Sequence, residues 1–156
     1  MLPIPEPGRR SSSEPKRVSY GGNDLTFLAS GVDTAGVYAL VEFITAPNPG
    51  RVPPPHRHPN LDEGFYVIEG TLTMLVGDRS VTISAGSYLN VPRGVVHQPV
   101  NPGNTAVRYL ILCVPAGLEN YFAELGEVYA ESGGPNQNRL LALYEKYDVQ
   151  LVGPRD

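Results

Sequence analysis

Short runs of apolar, β-branched and aromatic residues, separated by glycine or proline, fill the chain from residue 25 to residue 114. Such runs are typical of β-strands, and many short strands with turn residues between them indicate an all-β sandwich or barrel. Strands and helical segments do not alternate, so a parallel sheet is not expected. The predicted strands are residues 25–30, 37–45, 65–69, 71–76, 80–83, 88–91, 95–100 and 106–114.

The period of the apolar residues changes after Pro115. Apolar side chains recur at helical spacing at Leu118, Tyr121, Phe122 and Leu125. This pattern predicts an amphipathic helix. A second helix is predicted over 138–146, with Asn136 as its N-cap. We expect the first helix to cover an open end of the barrel or the outer face of a sheet, with a substrate lid as the alternative.

Residues 1–17 are polar and interrupted by proline, which is typical of a loose segment. The predicted organisation is a flexible N-terminal arm (1–17), a β-barrel (18–115) and a C-terminal helical extension (116–156) that packs on the barrel. A chain of 156 residues fits one domain, because domains most often have roughly 100–150 residues.

The charge of the chain argues against some partners. Twelve Lys and Arg residues against sixteen Asp and Glu residues give a net charge of −4, without a basic block. We therefore expect no binding to nucleic acid or to an anionic membrane. The N-terminus lacks the apolar core of a secretion signal, and the single cysteine, Cys113, excludes an internal disulfide. These features favour the cytoplasm as the location.

Candidate chemistry lies with the three histidines of the chain, His56, His58 and His97. On an extended segment, residues two positions apart project to the same face, so His56 and His58 can act together. Glu63 follows at the start of the next strand, and His97 lies on a later one. Side chains from separate strands of a small barrel converge in its interior. Three imidazoles and one carboxylate suit one divalent transition metal per chain, namely Fe, Mn, Co, Ni, Cu or Zn.

Three nearby polar residues, Asp62, Arg57 and Asn101, are not expected to bind the metal. Asp62 adjoins Glu63, but it should point to the opposite face of the strand, as Arg57 should between the two histidines. Asn101 is expected to stabilise a turn by hydrogen bonding rather than to bind metal.

The spacing of these residues resembles a known family. The first segment has the pattern Gly50-x5-His56-x-His58-x4-Glu63-x6-Gly70, and the second has the pattern Gly86-x5-Pro92-x-Gly94-x2-His97-x3-Asn101. Both resemble the two motifs of the cupin superfamily, and the fifteen residues between them (71–85) match the short spacer of bacterial single-domain cupins. The tail resembles that of quercetin 2,3-dioxygenase-like bacterial cupins.

The resemblance implies a double-stranded β-helix, or jelly-roll barrel, with one or two C-terminal helices. It also implies a metal-dependent dioxygenase that cleaves a flavonol-like or related hydroxy-carbonyl aromatic compound, with dioxygen as co-substrate. Glu63 would be the catalytic base that takes the hydroxyl proton, besides its place among the metal ligands. Phe65 and Val67 share the strand parity of Glu63 and are expected to line the substrate pocket. Single-domain cupins also imply a homodimer.

Other functions stay open at this point. A non-oxidative metal cupin, such as an isomerase or a polyketide cyclase, would use the same metal without dioxygen. A small-molecule-binding cupin would hold a ligand without catalysis. A sugar-nucleotide enzyme is disfavoured, because between residues 50 and 101 the basic residues are only Arg51, Arg57, Arg79 and Arg93.

Overall fold

The computed structural model describes residues 15–49 and 51–153, and within them the chain forms two antiparallel sheets and two helices. The strands are β1 (Arg17–Tyr20), β2 (Asn23–Ala29), β3 (Ala39–Thr45), β4 (His56–Arg57), β5 (Asp62–Glu69), β6 (Thr71–Val76), β7 (Arg79–Ser84), β8 (Tyr88–Val91), β9 (His97–Val100), β10 (Val107–Val114) and β11 (Gln150–Leu151). The helices are α1 (Leu118–Tyr129) and α2 (Gln137–Lys146). The predicted all-β architecture with C-terminal helices is confirmed.

The two sheets lie against each other as a jelly-roll sandwich. One sheet has the strand order β1-β2-β3-β10-β5-β8, and the other has the order β11-β4-β9-β6-β7. Strand β10 shows why they pack: its alternate residues from Val107 to Cys113 are buried, while those between them are more exposed. This period of two gives the sheet one apolar face. The strands thus form two sheets rather than one closed ring.

The turn between β5 and β6 carries the chain from one sheet to the other at Gly70. The residue has a φ of 81°, in the left-handed region that side chains disfavour. A Cβ atom at this position would lie 2.9 Å from the carbonyl oxygen of Ala106. Both the backbone conformation and the space therefore require glycine where the chain crosses between the sheets.

The C-terminal helices close one end of the sandwich. Helix α1 packs on β1 and β3, and α2 packs on α1. Asn136 caps α2 as predicted, because its side-chain oxygen accepts hydrogen bonds from the backbone N–H groups of Asn138 and Arg139. Beyond α2 the chain returns to the sheet, where β11 pairs with β4. Neither helix within the described residues is long and apolar enough to cross a membrane.

The short strands β1, β4 and β11 were not predicted. Strands β4 and β11 have two residues each, too few for a period of two to stand out, and β1 begins at the end of the segment predicted as an arm. Most of the predicted arm (residues 1–14) lies outside the described residues, as do Gly50 of the first motif and residues 154–156; Arg17, the last residue of the arm, begins β1. The predicted boundaries at residues 17 and 115 stay a prediction.

Candidate metal centre

The paired strands β4 and β9 and the facing strand β5 bring the three histidines and Glu63 together. His56 begins β4 and lies directly opposite His97, the first residue of β9. His58 follows β4, and its carbonyl oxygen accepts a hydrogen bond from the backbone N–H of Gly94. Glu63 is the second residue of β5, on the facing sheet. One potential ligand atom from each of the four residues lies within 4.8 Å of the others.

The Glu63 carboxylate lies between two imidazoles. Its Oε2 atom is 2.7 Å from Nε2 of His97 and 3.3 Å from Nε2 of His58. The ring of His56 completes the cluster, with its centroid 4.5 Å from that of His97. Glu63, His58 and His97 are only 2–4% exposed, and His56 is 9% exposed. The four side chains therefore form one cluster that is almost entirely withdrawn from water.

Backbone carbonyl groups orient two of the imidazoles. Nδ1 of His56 donates a hydrogen bond to the carbonyl oxygen of Pro54 at 2.8 Å, and Nδ1 of His97 donates to that of Val95 at 3.0 Å. A carbonyl oxygen can only accept, so the hydrogen of each neutral ring is assigned to Nδ1 and its Nε2 is left with a free lone pair. Histidines that bind metals are oriented in the same way.

The electrostatics of the cluster favour an ionised Glu63 and a neutral His56. Burial alone would raise the pKa of Glu63, but the close imidazoles of His58 and His97 outweigh burial and lower this pKa below its usual value. Burial, together with the nearby His97, lowers the pKa of His56 to about 4. Burial alone would lower the pKa of His97, and the contact with Glu63 raises it. At neutral pH, Glu63 is therefore an anion and His56 is neutral.

The cluster fits a divalent transition metal. Nε2 of His58, Nε2 of His97 and Oε2 of Glu63 are buried and make no hydrogen bond of acceptable geometry, and Nδ1 of His58 also lacks a partner. Buried polar atoms are rarely left unsatisfied, so this group is unusual unless a cation shares their lone pairs. Imidazole nitrogens with one carboxylate oxygen are suitable ligands for Fe, Mn, Co, Ni, Cu or Zn. The residues thus form a cluster able to bind a metal.

The two charged neighbours face away from the cluster. Asp62 forms a salt bridge with Arg93 at 2.8 Å, and it also accepts a hydrogen bond from the backbone N–H of Arg93. Arg57 is exposed, and its Nε donates a hydrogen bond to the side chain of Gln150 at 3.0 Å. The alternation along each strand therefore places these side chains as expected.

Asn101 has a structural role in the loop after β9. Its side-chain nitrogen donates to the carbonyl oxygens of Thr45, Ala46 and Thr105, and its oxygen accepts from the backbone N–H of Gly103. These bonds occupy both ends of the amide. Asn101 is thus a buried residue that stabilises the loop through hydrogen bonds, and its side chain is not free to bind a metal.

The cluster faces a cavity between the two sheets, which α1 and α2 close at the far end. Phe65 lines this cavity, with its ring centroid 6.2 Å from that of His97. Val67 is fully buried but is not among the lining residues. Strand parity places Phe65 and Val67 on one face, and Val67 lies two positions farther from Glu63 along that face.

Most of the cavity wall was not identified from the sequence. The further aromatic side chains that line it are Tyr20, Phe43, Tyr109, Tyr121, Phe122 and Tyr144. Two of them, Phe43 and Tyr109, have the strand parity of buried positions, which was the available signal. The others come from β1 and the helices, whose placement over the cavity depends on tertiary packing. The cavity wall is thus largely apolar and contains seven Phe and Tyr side chains, with charged groups at the histidine and glutamate cluster and at the helical end.

Comparison with known proteins identifies relatives by sequence. Residues 43–115 match the family model described as Cupin domain. Quercetin 2,3-dioxygenase of Bacillus subtilis (strain 168) is 33% identical over 149 residues, which cover 92% of this chain and 43% of that protein. The tetracenomycin polyketide synthase protein TcmJ of Streptomyces glaucescens is 34% identical over 122 residues, 78% of this chain and 77% of that protein. The chain spans less than half the length of the dioxygenase and of the germin-like proteins it also matches.

A solved structure has a similar fold. The polyketide cyclase RemF from Streptomyces resistomycificus superposes with a TM-score of 0.60 and 25% sequence identity. The superposition covers 70% of this chain and 80% of RemF. The similarity extends over most of both chains and agrees with the jelly-roll architecture of the two sheets.

Proposed function

Because this chain belongs to the cupin family, we propose that it is a metal-dependent enzyme in which His56, His58, Glu63 and His97 hold one divalent transition-metal ion. The observation that carries the proposal is the buried Glu63 carboxylate. Its Oε2 atom faces two imidazole nitrogens and has no hydrogen bond of its own. Glu63 is the only anion of the four residues and would match a cation most directly.

We propose that the reaction is the oxidative cleavage of a hydroxy-carbonyl aromatic compound, with dioxygen as the oxidant. The apolar cavity and the aromatic side chains in its wall support an aromatic substrate, and a dioxygenase is similar to this chain over 92% of its length. Glu63 would accept the proton of the substrate hydroxyl. Its lowered pKa makes it a weak base towards a free phenol. When bound, the metal would supply the Lewis acidity that makes this hydroxyl more acidic.

The experiment combines metal analysis with a flavonol assay. Purified protein is analysed for transition metals and then incubated with a flavonol in air and under nitrogen, with chelator-treated protein as the control. We expect close to one ion per chain and loss of the flavonol absorbance only in air and only with metal present. Absence of metal after reconstitution would refute the metal centre, and no reaction in air by the metal-loaded protein would refute the oxidative assignment.

A non-oxidative cyclisation is the second candidate. It is favoured by the similarity to TcmJ, which covers more than three quarters of both chains, and by the shared fold with RemF. A cyclase would convert an aromatic polyketide precursor equally well under nitrogen and in air. A non-catalytic binding protein would bind the flavonol and release it unchanged. Product analysis under the two atmospheres therefore distinguishes the three functions.

The homodimer and the cytoplasmic location stay predictions. Sedimentation of the purified protein at several concentrations tests the first, with a single species of twice the chain mass as the expected result. Cell fractionation with an antibody against the chain tests the second.

A further inference from the structure

The positively charged side chain of Arg51 lies at the end of the cavity that the helices close. Arg51, in the loop before β4, lines the same cavity as the metal cluster. Its Nη2 atom donates hydrogen bonds of 3.3 Å to the hydroxyl groups of Tyr121 and Tyr144. The guanidinium carbon also lies 5.8 Å and 5.7 Å from the ring centroids of Tyr20 and Tyr129. Tyrosines thus surround the group on several sides.

Arg51 has no anionic partner within residues 15–49 and 51–153. The ion pairs found in that part of the chain involve other cations. A guanidinium has five N–H donors, and two phenolic hydroxyls use only some of them. A half-buried arginine usually has a carboxylate or phosphate nearby, because desolvating an unpaired charge is costly. Donors therefore stay available on a charge that faces the cavity.

The backbone holds Arg51 in place. Its N–H donates to the carbonyl oxygen of Gly21 at 2.8 Å, and its own carbonyl accepts from the side chain of Asn23 at 3.4 Å. Gly21 lies in the turn between β1 and β2, and Asn23 is the first residue of β2. The position of the guanidinium is therefore supported from the sheet as well as from the helices.

A row of aromatic side chains extends from Arg51 to the cluster of three histidines and Glu63. Successive ring centroids along this row are 5.1 to 6.4 Å apart, in the order His97, Phe65, Tyr109, Phe43, Phe122 and Tyr121. The last ring bears the hydroxyl group that accepts from Arg51. The cavity therefore has metal-ligating atoms at one end, a cation at the other and aromatic faces between them.

We propose that Arg51 binds a carboxylate of the substrate, at the end remote from the atoms that meet the metal cluster. This inference rests on the proposed function, because it assumes an aromatic substrate whose hydroxyl group lies at the cluster. The planar fork of a guanidinium matches a carboxylate in two parallel hydrogen bonds. Arg51 is then a specificity-determining residue, which selects aromatic hydroxy acids over neutral analogues.

The test compares two probes of the same shape. 6-Hydroxy-2-naphthoate has a hydroxyl group at one end and a carboxylate at the other, and 6-hydroxy-2-naphthamide replaces the carboxylate by a neutral amide. Titration calorimetry with metal-loaded protein should show the acid binding roughly ten to a hundred times more tightly. Arg51→Gln should abolish this preference and leave the affinity for the amide within about twofold. Arg51→Lys should keep only part of the preference.

Arg79→Gln is the matched control, because it removes the same charge from an exposed position on β7 that does not line the cavity. It should keep the full preference for the acid. Thermal melting checks that each variant is folded, and the comparison of the two probes on the unmodified protein needs no variant.

Equal binding of the two probes to the unmodified protein, or a preference that survives in Arg51→Gln, would overturn the inference. Failure of both probes to bind protein that contains its metal would overturn it too, while leaving the metal centre intact. If the protein takes up no metal, the proposed function fails, and the acid preference of the metal-free protein still decides the role of Arg51.

Discussion

Replacing Glu63 by glutamine tests the chemistry of the cluster with little change in shape. Glutamine keeps the length and planarity of the side chain but removes its charge and its ability to accept a proton. The site is 3% exposed, so water cannot substitute for the lost carboxylate. In the unmodified protein, Oε2 of Glu63 lies within hydrogen-bonding distance of Nε2 of His97 and close to Nε2 of His58. The variant therefore loses the only anion of the cluster.

The expected loss of activity follows from these two missing properties. A positioned general base contributes about 10²- to 10⁴-fold to a rate, so turnover of Glu63→Gln at saturating metal should fall by that factor. This corresponds to about 2.7–5.4 kcal/mol of transition-state stabilisation. Metal affinity should also fall, by roughly tenfold or more, because three neutral imidazoles remain.

The assay follows metal content and flavonol turnover in parallel. Each variant is reconstituted with the metal found in the purified protein, its occupancy is measured, and rates are compared per bound ion. Asp62→Asn is the matched control, because it removes the same charge from the adjacent residue, whose carboxylate points away towards Arg93. The control should keep its metal and its rate. A Glu63→Gln protein that turns over at the unmodified rate per ion would refute the assignment of Glu63 as the base.

Three further perturbations test other parts of the molecule. His58→Ala should retain less than about a tenth of the metal after dialysis; full occupancy by elemental analysis would contradict histidine ligation. Asn101→Ala should lower the free energy of unfolding by about 2–3 kcal/mol, because buried carbonyl groups lose their donor, while metal content stays unchanged. Burial raises the pKa of Tyr109 and of Tyr121 to about 12, so their stabilisation is complete below pH 10 and is lost as the pH rises towards 12. An absorbance titration at pH 11 should find at least these two tyrosines protonated in the folded protein, and ionisation equal to that of the urea-unfolded chain would contradict their burial.

The sequence was most informative where a period of two governs the structure. His56 and His58 bracket an exposed Arg57, and Glu63 and Asp62 take opposite faces, as alternation along a strand requires. These residues come together because the facing sheets of a jelly roll bring their inner faces into contact. The residues of the candidate site could therefore be predicted from the sequence alone.

The depth and far end of the cavity could not be predicted in this way. Parity identifies the face on which Phe65 and Val67 lie, but not how far along that face the cavity extends. Arg51 lies in a loop, and Tyr144 lies on a helix, so no periodic pattern relates them to the cluster. Their meeting depends on how α1 and α2 pack against the sheets, which involves contacts between distant parts of the chain.

The pairing of β11 with β4 has a consequence for how ligands could enter. The C-terminal tail is hydrogen-bonded to the strand that bears His56, with Leu151 opposite His56 itself. A movement of α2 that separated β11 from β4 would therefore break the strand pairing at His56. An entrance that opened by separating β11 from β4 would therefore disturb a proposed metal ligand, whereas an entrance elsewhere would leave this ligand in position.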